Sequence, residues 1–249
     1  MKSFVMTTMN GMVYGLFATL IIGVIFQQIG ALLNISLIEV TLYDRLKALM
    51  GMGIGLGIAL SLKLDGLKLV VVAIMGGIAT SFRVTFGEGI LPPIYPGDPV
   101  VTYLVVVFGY LILTKVLIKK TPLDILLVPL LGITIALLLT LGLSAPVGYV
   151  VKLISTFISE ATQIIPIPMS IIIAVAMGML LTSPLSSAAI AISITLNGIA
   201  GGAAVVGCTV QMVGFAVQSR KDNSIGMVLS IAFGTSMLQF KNILRKPII

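Results

Sequence analysis

Histidine is absent from all 249 residues. The chain therefore holds no phosphohistidine relay, no Ser-His catalytic pair and no imidazole metal ligand of its own. Cysteine occurs once, as Cys208, which excludes an intrachain disulfide and a cysteine-cluster metal site. Set in an apolar run rich in Gly and Ala, it reads as a small buried residue. Charge is scarce too, at 9% of residues. The 8 acidic residues are scattered among the breaks between apolar runs. Carboxylate pairs at helical spacing, metal-ligand clusters and nucleophile motifs are all missing, so neither catalysis by the chain alone nor a bound cofactor is expected.

What the chain has in abundance is apolar surface: 58% of residues are hydrophobic and the mean hydropathy is +1.21. A soluble domain of this length does not need that much, so lipid is the solvent for much of it. A bilayer core takes about 20 apolar residues per helix, and several such runs follow one another here. The run from Gly11 to about Leu33 lacks a small-residue cleavage pattern and reads as a first spanning helix rather than a signal peptide. The net charge of +7 could suggest nucleic acid. Its 15 Lys and Arg residues instead lie beside the ends of apolar runs, which fits positive-inside topology and lipid headgroups.

Spanning helices are expected at 11–33, 46–62, 67–82, 100–118 and 124–143, the second and third short enough to be tilted, paired or partly buried. If each spans once, Lys2, Lys63, Lys68, Lys115, Lys119 and Lys120 share one face, which places the N-terminus in the cytoplasm. Arg45 and Lys47 fall on the other face, with Glu39 and Asp44 nearby. Gly51, Gly53, Gly55 and Gly57 make two overlapping small-xxx-small pairs, suited to close helix packing; a dinucleotide site would need a preceding strand. The GEGILPPIYPGD segment, from Gly87 to Asp98, cannot sustain a helix through Pro92, Pro93 and Pro96, and reads as an outer or re-entrant loop. Residues 150–165 alternate an apolar stripe with Lys152, Ser155, Thr156, Ser159, Glu160 and Gln163, the pattern of an amphipathic helix at the interface or beside a wet cavity. Pro166 and Pro168 end it, and an apolar helix over 169–181 follows. The fold class is thus an all-α, polytopic membrane bundle with an amphipathic interfacial helix and broken or re-entrant segments.

Three places could carry function. TSPLSS, Thr182 to Ser187, interrupts apolar sequence: Pro184 removes a backbone donor, while Thr182, Ser183, Ser186 and Ser187 supply hydroxyls. It also fits a proline-marked loop between two spans. Arg83 and Glu88 bracket the end of the third helix. A charge at membrane depth costs roughly 2.5–3.5 kcal/mol on insertion scales, so if buried they would form a pair in which Glu88 accepts sugar hydroxyls and Arg83 neutralises it. If the loop is exposed they are surface charges. Asn197, Gln211 and Gln239 both donate and accept, which suits a polyol ligand, although each alone also serves as interhelical glue. The chain stops at Lys246-Pro247-Ile248-Ile249, as though opening another hydrophobic segment, and a C-terminally truncated single domain over 1–249 is expected.

The later half carries LTSPLSSAAIAISITLNGIAGGAAVVGCTVQMVGFAVQSRKDNSIG, Leu181 to Gly226, then GTSMLQFKNI, Gly234 to Ile243. With NGMVYGLFATLIIGVIFQQIG, Asn10 to Gly30, these strings resemble the membrane IIC-type family related to sugar phosphotransferase systems, which includes the perfringolysin O regulator proteins. The resemblance implies a dimeric, multi-pass protein of the bacterial cell membrane that handles a sugar or similar small polar solute. The lack of histidine is compatible with it if a separate cytoplasmic phosphoryl-carrier subunit docks and supplies any phosphorylation. Glu88, Arg83, Thr182, Ser183, Ser186, Ser187, Asn197 and Gln211 are the expected substrate-binding residues, with no catalytic or metal-binding residue. The competing reading is a membrane-embedded regulator or sensor of gene expression, descended from such a transporter and moving no solute.

Overall fold

The computed structural model of the chain describes residues 2–86, 89–93, 97–116, 122–182 and 198–245. It divides into two compact units, Met1–Gly148 and Tyr149–Ile249, and the division falls inside one long helix.

In the first unit, α1 (Lys2–Leu16) passes through a π-helical turn (Phe17–Ile21) into α2 (Ile22–Leu33). The wider turn coincides with buried Thr19, whose hydroxyl donates to the Gly15 carbonyl four residues back at 2.8 Å; such back-bonding perturbs the helical ladder locally. Asn34 then takes the left-handed conformation at φ 54°, and the Ile35 amide donates to the Gly30 carbonyl at 2.9 Å, which stops the helix. The chain turns back against α2 through a second π-helical turn (Leu37–Leu42) and α3 (Tyr43–Ala48). Residues 35–45, expected to be a connection, are therefore largely helical. Asp44 accepts from Lys47 at 2.8 Å, and the Lys47 ammonium also lies 4.3 Å from the Tyr43 ring centre. The helical i,i+3 and i,i+4 spacings gather charges that otherwise look like a loop.

Next come α4 (Met50–Ser61) and α5 (Gly66–Ala79). The four glycines of α4 face two ways. Gly53 and Gly57 meet Gly15 and Gly11 of α1; Gly51 and Gly55 meet Gly76 and Ala73 of α5. Both small-xxx-small pairs are in use, one per neighbour, and they hold α4 between two backbones at distances no larger side chain permits. Met12, Met50, Ile54, Ile58, Met75 and Val105 are fully buried around this contact. Shortness is thus matched by burial: neither α4 nor α5 reaches the length of a span.

The chain leaves α5 into an antiparallel hairpin, β1 (Arg83–Thr85) and β2 (Gly89–Leu91), with Arg83 opposite Leu91 and Thr85 opposite Gly89. The hairpin takes in the first part of the 87–98 segment read as an outer or re-entrant loop, and six strand residues among the described residues leave the all-α class intact. α6 (Pro99–Val116) opens with Asp98 as its N-cap: Oδ1 accepts from the amides of Val100 at 2.7 Å and Val101 at 3.3 Å, and Pro99 occupies the first helical position, where its missing N–H costs nothing. The Tyr103 hydroxyl of α6 lies 2.8 Å from that of Thr8 in α1.

α7 (Asp124–Ile164) runs for 41 residues through Pro129 and Pro146. The expected separate helices at 124–143 and 150–165 are one, and the amphipathic segment is its last part. Where water is excluded, leaving the helix would strand several backbone groups, so a proline that removes one donor is the smaller cost. Far more residues are helical here than the roughly 20 a bilayer core needs, and the span-like part is Asp124–Val150.

In the second unit, α8 (Pro166–Thr182) packs on α9 (Gly198–Gln218). After a 3-10 turn (Ser219–Lys221), Ser224 caps α10 (Ile225–Phe233), which is followed by a second 3-10 turn (Ser236–Gln239) and α11 (Phe240–Arg245). Gly234 and extended Thr235 (φ −164°, ψ 141°) interrupt the last apolar run in its middle.

Among the described residues, four helices are long and apolar enough to cross a membrane: Phe4–Leu33, Pro99–Val116, Asp124–Val150 and Gly198–Lys221. Their outward side chains are apolar, as with Leu32, Ile125 and Leu138. In water such a surface would drive aggregation; in hydrocarbon it is the lipid contact.

Candidate functional site

In the second unit, helix packing delivers polar side chains to one point. A Cβ on Gly207 of α9 would collide with the Ala174 backbone of α8. One turn on, a Cβ on Gly178 would lie 3.0 Å from the Gly207 carbonyl oxygen and 3.4 Å from Gln211 Cβ. Residues four apart on a helix share a face, so Ala174, Gly178 and Thr182 on α8 form one row, and Gly207 and Gln211 on α9 the other. The register advances the same way on both, so the two helices run parallel here. The glycines bring the rows together, and the next step up each row is polar.

At that step the Gln211 Nε2 donates to Thr182 Oγ1 at 3.3 Å. The Thr182 and Ser236 hydroxyl oxygens lie 2.8 Å apart, and Thr182 Oγ1 also donates to the Gly178 carbonyl at 3.3 Å. A threonine hydroxyl has one proton and two lone pairs. With Ser236 as donor, all three are used and Thr182 is saturated. Thr182, Thr235, Ser236 and Gln239 are each at most 5% exposed, deep enough that an unmade hydrogen bond would be costly. Thr235 Oγ1 accepts from the Met237 amide at 3.1 Å, and Asn242 Nδ2 donates to Gln239 Oε1 at 2.6 Å. The result is a neutral hydrogen-bonded cluster where the end of α8 meets the break after α10.

Of the residues singled out in the sequence, Thr182 and Gln211 are brought together, and Gln239 lies in the same 3-10 turn as Ser236. Arg83 belongs to the first unit, on β1, exposed. Glu88, Ser183, Ser186, Ser187 and Asn197 lie outside the described residues. Ser236 is not among the residues the sequence singles out; the Gly-Thr-Ser triplet within apolar sequence is the signal that could have marked a break there. Cys208, one residue past Gly207, has its sulfur 3.7 Å from the Met177 carbonyl oxygen and is half-buried rather than the fully buried residue expected.

In the first unit, Asp98 stands just outside the α6 span. Burial pushes its carboxyl above the ordinary value of 3.8, and hydrogen bonds from Val100 and Val101 oppose the shift without cancelling it. It is a structural cap whose charge is poorly solvated.

The family described as "Phosphotransferase system, EIIC" matches residues 6–249. No curated protein and no solved structure matches the chain. The family match runs through both units and agrees with the four span-length apolar helices. This is a membrane-embedded protein with the general role of a phosphotransferase-system permease component, and it belongs to the phosphotransferase system EIIC family.

Proposed function

We propose that the chain is the solute-conducting subunit of a sugar phosphotransferase permease. It binds and exposes a sugar or similar polyol by alternating access, while a separate cytoplasmic subunit supplies any phosphoryl group. The observation that carries this reading is the Thr182–Gln211–Ser236 cluster: neutral donors and acceptors at a helix break between apolar helices, with Thr182 and Ser236 buried and Gln211 partly so. Broken helices near mid-membrane are where transporters place polar solutes, and a neutral set suits hydroxyls better than an ion.

In this reading Thr182 and Gln211 contact the solute together with Ser183, Ser186, Ser187 and Asn197, while Glu88 accepts sugar hydroxyls beside Arg83. The chain acts as one membrane domain, paired as a homodimer in the lipid of the bacterial cell membrane. Its N-terminus is cytoplasmic, the orientation favoured by Lys2 before the first span-length helix and Lys115 at the end of the second.

The test is equilibrium binding of labelled sugars and sugar phosphates to the purified protein, with Glu88→Gln and Asp222→Asn alongside. Saturable binding that is lost in Glu88→Gln and kept in Asp222→Asn is the expected result. Equal effects of the two changes would remove the Glu88 site, and no binding across the panel would leave a regulator without transport as the better reading.

A further inference from the structure

With Ser236 as the donor, every hydrogen-bonding position of the Thr182 hydroxyl is used, so it can accept a new partner only by releasing one it has. The bond to Gly178 is internal to α8, so Ser236 and Gln211 are the replaceable partners. We propose that the Thr182–Ser236 hydroxyl pair is the closed position of a latch, and that a polyol opens it by taking the place of Ser236 on Thr182 with one hydroxyl while an adjacent hydroxyl meets Gln211. This rests on the sugar-conducting reading above and adds Ser236 to that site as the residue a solute displaces.

Three features fit a moving part. Ser236 lies in a 3-10 turn of four residues, held together internally by the Thr235 Oγ1 bond to the Met237 amide, so the turn can shift as a piece. Gly234 and extended Thr235 separate it from α10, and they supply the backbone freedom that a helix interior lacks. The exchange swaps neutral hydroxyl bonds for neutral hydroxyl bonds, so no charge is buried or exposed when the latch opens. A polyol with adjacent hydroxyls meets this requirement, whereas an ion would leave charge without a counter-group at the cluster.

The reporter is Met237→Cys in a Cys208→Ala background. Met237 adjoins Ser236, is 6% exposed, and its side chain takes no part in the latch bonds. Its rate of labelling by a small membrane-permeant maleimide is measured in the full-length protein in lipid vesicles, with and without a panel of hexoses and hexitols. Thr182→Val should raise the rate roughly fivefold, the fold-change equivalent to one hydrogen bond of about 1 kcal/mol. Thr182→Ser, which restores the hydroxyl, should return it toward the parent rate. Ser236→Ala should act like Thr182→Val and covers the case in which one variant fails to fold. At least one panel member should change the parent's rate and have no effect once the latch is broken. Unchanged labelling in both Thr182→Val and Ser236→Ala overturns the latch, whatever the panel does. A raised rate in those variants without any response to the panel overturns the polyol as its opener, and the sugar-conducting reading falls separately if the panel also shows no equilibrium binding.

Discussion

Gly207 of α9 lies directly against the backbone of Ala174 in α8, and that contact sets how close Gln211 comes to Thr182 one turn further on. A side chain at position 207 must push the helices apart, because the obstacle is backbone and cannot rotate away. Gly207→Leu is expected to lose about 2 kcal/mol or more through overpacking and to uncouple the polar cluster. Gly214, on the same helix, has open space around it; Gly214→Ala should be neutral or stabilising by about 0.5 kcal/mol, from the lower backbone entropy of alanine. Thermal stability of the two variants in detergent, read by size-exclusion recovery after heating, gives the comparison. Similar behaviour of the two would show that the helices are not held by this contact.

The glycines of α4 allow a test of independence. Gly51 and Gly57 contact different helices and share no partner. Gly51→Ala and Gly57→Ala should each destabilise the first unit, since each new methyl meets backbone of a neighbouring helix. The double variant should show the sum within about 0.5 kcal/mol, as for separated sites. Gly142→Ala, with nothing nearby, is the control. Strong non-additivity in the unfolding midpoints would mean that α1 and α5 also respond to each other through α4.

The hydroxyl contact between Thr8 and Tyr103 should matter less than its depth suggests. Thr8 also donates within its own helix, toward the carbonyls of Phe4 at 3.1 Å and Val5 at 3.0 Å, so removing the phenol oxygen does not leave it without an acceptor. Interhelical hydrogen bonds in membrane proteins average about 0.6 kcal/mol, and Tyr103→Phe is expected to cost about that much. A loss several times larger in the same heating assay would reveal a wider network through Tyr103.

The glycine string of α4 was readable because spacing alone puts residues four apart on one face; which helix each face meets was not. Residues 35–45 read as connection because Glu39, Asp44 and Arg45 mask their helical spacing, and the Lys47–Asp44 and Lys47–Tyr43 contacts appear only once the helix exists. The join of two expected helices into α7 follows from solvent: in water Pro146 would end a helix, whereas in an apolar surround the helix persists. At the candidate site, Thr182 and Gln211 stood out as polar residues in apolar runs. Ser236 did not, because a serine in a helix-like pattern carries no signal until tertiary contact places it beside a threonine 54 positions away.

Asp98 gives a prediction with a definite sign. Burial holds its carboxyl above the ordinary 3.8, with the Val100 and Val101 amides opposing only in part. The folded protein therefore keeps the proton at pH values where the unfolded chain has already released it. The stability this contributes is full below 3.8 and is lost as pH rises through the window between that value and the raised folded one; above the window it is gone. Asp98→Asn keeps an oxygen to accept from the amides of Val100 and Val101 but does not titrate. Thermal midpoints of the wild type relative to Asp98→Asn, followed upward from about pH 4, should therefore fall with rising pH until that window is passed. Asp98→Ala removes the cap itself and should lose about 1 kcal/mol even above that window. A wild-type midpoint that rises relative to Asp98→Asn over this range would mean that the amide bonds outweigh burial and the carboxyl lies below its ordinary value.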